Sequence, residues 1–359
     1  MQLKENQLLM LSILIQSDYI KNGDTVREIV CRIESDVNRN KPINSCRMKL
    51  SEWRTFVNII NNQHDLLQYS VQYYKNDLCS SNSVACFVDN IENPQDVNIV
   101  FRGTHKKDEM LDNGRASYQS DTRKQIEATE YVNSLPEIYG NAMTATGHSK
   151  GGNKAQYVTV TTNRIGRCVS FDGLGFSKAF FEKYADEISA KKHCMTAINA
   201  ADDYVNSIFI SIPCKKLFLE SDIKNIHHFI EFHKPSALMN EYGKLNSPKR
   251  RSNFSKQVSK YSAYLLSNTE KFLEKCDVEK LITSVEKLCN VHTKLNRRFF
   301  QPIWDFLIIF IGMFILLPSI MPLLFGKGLR LVLSYICANI NYLRVHRYIL
   351  KGSKLKEHL

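Results

Sequence analysis

The chain has 359 residues, 43% apolar and 23% charged, which is enough apolar content to fold most of it around a core and argues against a disordered polymer. Its formal net charge of +12 favours an anionic neighbour, lipid or nucleic acid, without choosing between them. Ten cysteines are scattered with no CxxC pair and no zinc-ligand spacing, which argues against a structural zinc site and for reduced thiols in a cytosolic main domain.

Residues 1–75 read as helical, with apolar clusters at Leu8–Ile15 and Val26–Ile33, then Trp53, Phe56 and Ile60. The run LLMLSILI has the composition of a secretion-signal core. Lys4 and Glu5 cancel ahead of it and no small-residue cleavage site follows, so it reads as a buried helix. Residues 84–235 alternate short strand-like runs with helix-like runs, the pattern of a parallel sheet with helices on its faces. Strands are expected at Asn98–Arg102, Ala142–Thr146, Cys168–Phe171, Met195–Ile198 and Lys216–Leu219.

The polar, basic stretch GKLNSPKRRSNFSK (Gly243–Lys256) reads as a linker. Beyond it Val278, Leu281, Val285, Leu288, His292, Leu295 and Phe299 step by three and four. That seam suits a helix packed on the main domain, or one used for self-association or a partner protein. Ile303–Phe325 is then 23 residues long with one charge, Asp305. About 20 apolar residues cross a bilayer. Pro318 and Pro322 would kink the end of such a helix, which membranes tolerate. After Gly326-Lys327-Gly328 a weaker apolar run follows, carrying Arg330, Asn339 and Asn341. Lys294, Arg297 and Arg298 precede the pair and Arg344, Arg347 and Lys351 follow it. A hairpin with both ends in the cytosol satisfies that distribution; a single span and a greasy buried hairpin are the alternatives. The expected organisation is a catalytic domain at 1–240, a basic linker with an amphipathic helix at 241–300, and a membrane-associated hairpin at 301–359.

The chemistry centres on TATGHSKGGNKAQYV (Thr144–Val158). In G-x-S-x-G a serine stands on a sharp strand-to-helix turn, where bulky neighbours at Gly147 and Gly151 would collide with nearby backbone. The turn exposes the Ser149 hydroxyl at the carboxyl edge of the sheet and at the amino end of a helix. Upstream, VNIVFRGTH (Val97–His105) ends a strand where a second oxyanion donor belongs, and Thr104 is the candidate; the backbone N–H of Lys150 is the first. Downstream, INAADDYVNSI (Ile198–Ile208) and ESDIKNIHHFIEFH (Glu220–His233) supply an acid and a histidine in the order Ser, acid, His. Asp203 is preferred over Asp202, and His227 over His228. Asp172, which also ends a strand, competes for the acid. HHFIEFH lacks the HExxH and HxxEH spacings, so no metal is expected. The polar stretch at residues 105–125 lies where a covering lid could form.

FRGT, GHSKGG, SFDGLGF, DDYV and HHFIEF together resemble the class 3 lipase group of α/β-hydrolases, closest to a bacterial lipase-like branch carrying GHSKGG and FDGxGF. The resemblance covers residues 5–235, including the leading helices, and implies an α/β-hydrolase fold with a mostly parallel sheet. The group's acid lies in N-x-x-D-x-V, which Asn199–Val205 fits through Asp203, one residue late. Its histidine begins H-x-L-x-x-Y, a spacing that His227, Phe229 and Phe232 fit. It places glycine at Asp172, which assigns that residue a structural role beside the nucleophile. It places leucine at Lys150, whose side chain is therefore free either to meet an anionic head group or to lie over apolar surface with its ammonium in water.

The reading that follows is a membrane-associated serine hydrolase with Ser149, Asp203 and His227, acting on carboxylic esters of glycerolipids or phospholipids, its catalytic domain cytoplasmic. No cofactor is implied. Lipid remodelling and a toxin or defence role suit it equally. The rival is a non-catalytic membrane-anchored protein whose basic region, around Lys249–Lys260, binds a partner or nucleic acid; of those two, nucleic acid is not expected.

Overall fold

The computed structural model describes residues 2–43, 48–77, 82–104, 112–221 and 232–262 apart from 254, 257 and 261. The seam at 278–299 and the apolar segment Ile303–Phe325 lie outside the described residues. No helix among the described residues is long and apolar enough to cross a membrane.

Five strands run parallel: β3 (Val97–Phe101), β4 (Met143–His148), β5 (Ile165–Phe171), β6 (Met195–Ala200) and β7 (Lys215–Leu219). Each overlaps an expected strand, and their order in the sheet is their order in the chain. An antiparallel hairpin, β1 (Ser70–Asp77) and β2 (Asn82–Val88), extends the sheet beyond β3. β1 begins inside the stretch that reads as helical. Its register shifts between Gln72 and Lys75, so the two-residue alternation that announces a strand is broken.

Helices cover both faces of the sheet. α1 (Glu5–Leu14), α2 (Val26–Asn38) and α3 (Leu50–Asn61) share one apolar cluster with Val100, Val169 and Ile198. The opposite cluster joins Ile99, Phe101 and Cys168 to α4 (Arg123–Asn133), α5 (Lys150–Thr161), α6 (Lys178–Lys183) and α7 (Ala185–Lys191). Neighbouring strand residues therefore serve different cores, as the pleat requires. This mostly parallel sheet with flanking helices fits an α/β-hydrolase. Local signals set the helix starts: at α2 the Thr25 hydroxyl accepts from the Glu28 N–H at 3.3 Å while the Glu28 carboxylate accepts from the Thr25 N–H at 2.7 Å. α1 has no wet face, for every residue from Leu8 to Leu14 is buried, which explains its signal-like composition.

The segment 243–256 is not a free linker. Lys249 donates its N–H to Phe218 O at 2.8 Å, Glu220 to Ser247 O at 2.9 Å and Ser252 to Ala201 O at 3.0 Å, so this stretch lies along the β7 edge. Its polarity comes from side chains, whereas its backbone closes hydrogen bonds that β7 would otherwise leave open.

Asp121 ties α5 to α6 and α7. Tyr157 and Tyr184 each donate to Oδ1 at 2.6 Å, and Ser120 and Lys183 donate to Oδ2. Burial opposes the charge, but Lys183 and the hydroxyls outweigh it and hold the carboxyl down to about 2. A depressed folded value means stability that is present above the unfolded value of about 3.9 and lost as pH falls through the folded one. We therefore expect D121N to melt at lower temperature than wild type at pH 7, with the gap closing between about pH 4 and pH 2 in circular-dichroism melts. A gap independent of pH would contradict this account.

Candidate active site

β4 stops at His148 and α5 starts at Lys150, leaving one residue to turn the chain. That residue, Ser149, has φ 60 and ψ −125, a backbone conformation rare for a side chain with a Cβ. Its N–H donates to Phe171 O at 2.9 Å, pinning the turn to β5. The flanking glycines are required by contact. A Cβ on Gly151 would lie 2.1 Å from Phe101 O, and one on Gly147 would lie 2.5 Å from the Gly151 carbonyl carbon. The serine hydroxyl is thus held at the first turn of α5, where free N–H groups and the helix dipole favour negative charge.

The imidazole that meets it belongs to His233. His233 Nε2 lies 2.8 Å from Ser149 Oγ, and Nδ1 lies 3.0 Å from Asp203 Oδ2. His227 and His228 lie outside the described residues. The motif spacing points to His227, yet His233 fills the position beside Ser149, fourteen residues after β7 ends at Leu219. His233 ends the same HHFIEFH cluster, and sequence reasoning, which weighed only His227 and His228, missed it because nothing in the residue types ranks it above its neighbours.

Asp203 is fully buried and also accepts from the N–H groups of Val205 at 3.0 Å and Asn206 at 3.2 Å. Asp202 turns away and pairs with Lys249 at 3.0 Å. The structure therefore brings Ser149, His233 and Asp203 into one hydrogen-bonded line. Such a line can draw a proton from the hydroxyl and stabilise the resulting imidazolium.

Lys150 departs from both roles read for its side chain. It is completely buried, and its ammonium lies 2.7 Å from Asp112 Oδ2. Neither an external head group nor bulk water is its partner. Asp112 also accepts from the Thr122 hydroxyl at 2.7 Å and the Lys124 N–H at 3.1 Å. Burial works against the Asp112 charge, and Lys150 with these donors overcomes it, holding the carboxyl below its usual range. Next in the chain, Asn113 donates from Nδ2 to the Thr104 hydroxyl at 3.0 Å. Within the stretch where a lid could form, Asp112, Thr122, Lys124 and Gln125 are buried, so that part is packed into the domain; 105–111 lie outside the described residues.

A second group of polar atoms adjoins this line. His148 packs its ring against His233, with centroids 4.8 Å apart. Its Nε2 lies 4.0 Å from Asp172 Oδ2, and neither atom has a hydrogen-bond partner among the described residues. Burial, followed by the charge on His233, keeps His148 well below the usual histidine range. Burial, followed by the charge on Asp203, pushes Asp172 well above the usual carboxylate range. One ligating atom each of His148, Asp172 and His233 fall within 4.8 Å of one another. A tetrahedral zinc holds its ligand atoms only about 3.4 Å apart, and both ring nitrogens of His233 are engaged by Ser149 and Asp203. The donor set fits hydrogen bonding around His233 better than a metal.

The profile of the Mbeg1-like family matches residues 46–287. No curated protein matches the chain. Among solved structures, it is similar to M37 lipase at 13% identity, with a TM-score of 0.38, over 67% of this chain and 89% of that one. It is similar to the Lip2 lipase from Yarrowia lipolytica at 14% identity, with a TM-score of 0.37, over 69% and 84%. For a Rhizomucor miehei lipase propeptide complex the identity is 9%, the TM-score 0.36 and the coverage 68% and 81%.

The Lys150–Asp112 pair makes a measurable claim. K150M leaves a buried carboxylate without its cation, which costs about 3–5 kcal/mol, so the variant should unfold at markedly lower denaturant. K150M/D112N, with both charges gone, should recover a large part of that loss. Equal stabilities for the single and double variants would mean that the pair is not coupled.

Proposed function

The chain belongs to the Mbeg1-like family, and from the geometry of its site we propose that it is a serine hydrolase cleaving carboxylic esters, with Ser149 as nucleophile, His233 as base and Asp203 as acid. One observation carries this reading: the 2.8 Å approach of His233 Nε2 to the hydroxyl of a serine held at positive φ.

Ser149 Oγ attacks the ester carbonyl carbon while its proton passes to His233 Nε2. The carbonyl oxygen takes the negative charge, facing the N–H of Lys150 and the N–H of Thr104. Donors of this kind are worth about 3–4 kcal/mol each in serine proteases. His233 then returns the proton to the departing alcohol, leaving an acyl-serine. Water deprotonated by the same histidine attacks the acyl carbon and frees the acid. Asp203, fixed by two backbone N–H groups, keeps the imidazole oriented and stabilises its charged form.

Glycerolipid or phospholipid is the substrate class we favour, at a membrane surface. The 23-residue apolar segment Ile303–Phe325 and its basic flanks support that choice, since they suit a bilayer with anionic lipid. The rival use of the basic region loses ground because part of it is committed internally: Lys249 pairs with Asp202, and Arg251 donates to Ser207 and Ser255.

Fluorophosphonate labelling of the full-length protein, followed by mass spectrometry of fatty acids released from phospholipid vesicles, tests this. Wild type should label and release fatty acid. S149A should not label, and H233N should lose about 10⁴–10⁶ in rate. H227N and H228N should keep most of the activity. Failure of wild type to label would remove the enzyme reading; loss in H227N with retention in H233N would reassign the base.

A further inference from the structure

Asp172 is a buried acid that the mechanism above does not use, and it stands beside the residue that the mechanism depends on. We propose that Asp172 is a second positioning acid for His233, able to orient and neutralise its imidazolium when Asp203 cannot. The inference rests on the serine-hydrolase reading and adds a residue to it.

Geometry carries the case. The carboxyl ends of adjacent parallel strands deliver both acids: Asp172 directly follows β5, and Asp203 follows β6 by three residues. Asp172 has φ 46, so, as at Ser149, a tight bend aims the side chain off the sheet edge. Its Oδ1 is fixed by the Ala200 N–H at 2.7 Å and by Asn206 Nδ2 at 2.9 Å. Its Oδ2 is buried with no hydrogen-bond partner among the described residues, within the cluster that places ligating atoms of Asp172, His148 and His233 inside 4.8 Å of one another.

Asn206 connects the two acids. Its backbone N–H holds Asp203 and its side-chain amide holds Asp172. A single residue thus fixes both carboxyls, one bonded to His233 and the other within 4.8 Å of it.

The titratable groups facing Asp172 are His148 from β4, Asp203 from the loop after β6 and His233 from the loop after β7. Two neighbouring carboxyls do not both ionise readily in a buried site. Burial and the Asp203 charge push the Asp172 carboxyl well above the usual carboxylate range. Neutralising Asp203 removes the repulsive member of that pair and leaves the attraction of the His233 imidazolium. The proton on Asp172 then leaves more easily, and the negative charge moves from one acid to the other. A residue that only braced the loop would need Oδ1 alone, whereas Oδ2 faces His148 at 4.0 Å with no hydrogen-bond partner among the described residues.

The test is the pH dependence of fluorophosphonate labelling for wild type, D172N, D203N and D203N/D172N in the full-length protein. D203N should lose about 10²-fold, short of the loss of about 10⁴-fold that follows acid removal in serine proteases. D172N alone should lose less than D203N. The double variant should fall about a further hundredfold, to the loss of about 10⁴-fold expected once no acid remains beside His233. The residual D203N activity should require a higher pH than wild type, reflecting ionisation of Asp172, and that limb should be absent from the double variant. Should D203N melt below the assay temperature, D203A serves in its place against D203A/D172N. Equal rates for the single and double variants at every pH would overturn the proposal while leaving the hydrolase reading intact. An unlabelled wild type would remove both.

Discussion

The site depends on how closely three pieces of backbone approach one another. The last carbonyl of β3, the end of β4 and the first turn of α5 are so near that a Cβ at position 151 would fall inside the Phe101 oxygen. This contact is the reason that β4 cannot run straight into α5. The chain must reverse within one residue, and Ser149 takes up the reversal in a strained conformation. The strain is supported by packing on all sides: Phe171 O holds the serine N–H, and the glycines admit the neighbouring strand. A hydroxyl held in this way has few alternative positions, and whatever the other loops deliver must come to it.

Because the strands on either side run parallel, their carboxyl ends gather at one edge of the sheet, and the ionisable residues that follow them gather there too. Asp172, Asp203 and Lys150 are all fully buried, and His148 nearly so. Charges in so dry a region need partners or must be given up. The edge uses both solutions. Lys150 and Asp112 neutralise each other, Asp203 is met by N–H groups and by His233, and burial with the charge on Asp203 pushes the Asp172 carboxyl well above the usual carboxylate range.

Much of this was legible in the residues. The five parallel strands follow from short apolar runs bounded by turn signals, and Gly147, Ser149 and Gly151 mark their own turn because only a close backbone approach calls for that spacing. Of the adjacent acids, Asp203 meets the imidazole beside Ser149 and Asp202 faces Lys249, a difference that the pair of residue types does not announce. The base was harder to read. Three histidines within seven residues are chemically equivalent on paper, and which one meets Ser149 depends on the number of residues between it and the end of β7, whose effect on reach residue type does not encode. β1 escaped notice because its bulge breaks the alternation, and the edge-lying segment at 243–256 resembled a linker because only its backbone is bonded to β7. In both cases the deciding interaction is a backbone pairing across a long sequence separation, which side-chain pattern does not record.

Lys150 shows how a residue can look exposed in a motif and be the opposite in the fold. A lysine after the nucleophile suggests a cation reaching toward substrate, because the backbone N–H supplies the oxyanion donor whatever the side chain is. The first turn of α5, however, faces inward against the segment that returns from β3. An apolar side chain there would fill space, whereas a lysine also specifies its partner, since only an acid at the correct height can accompany it into the interior. Asp112 is that acid, and its neighbour Asn113 reaches back to Thr104. The residues flanking 105–111 are thus joined to each other by the Asn113–Thr104 bond, and on the Asp112 side to the nucleophile helix by the ion pair. The position of Thr104 relative to Ser149 is therefore set by a buried charge pair as well as by the sheet, and the motif's lysine contributes to the geometry of the oxyanion site without needing to touch the substrate.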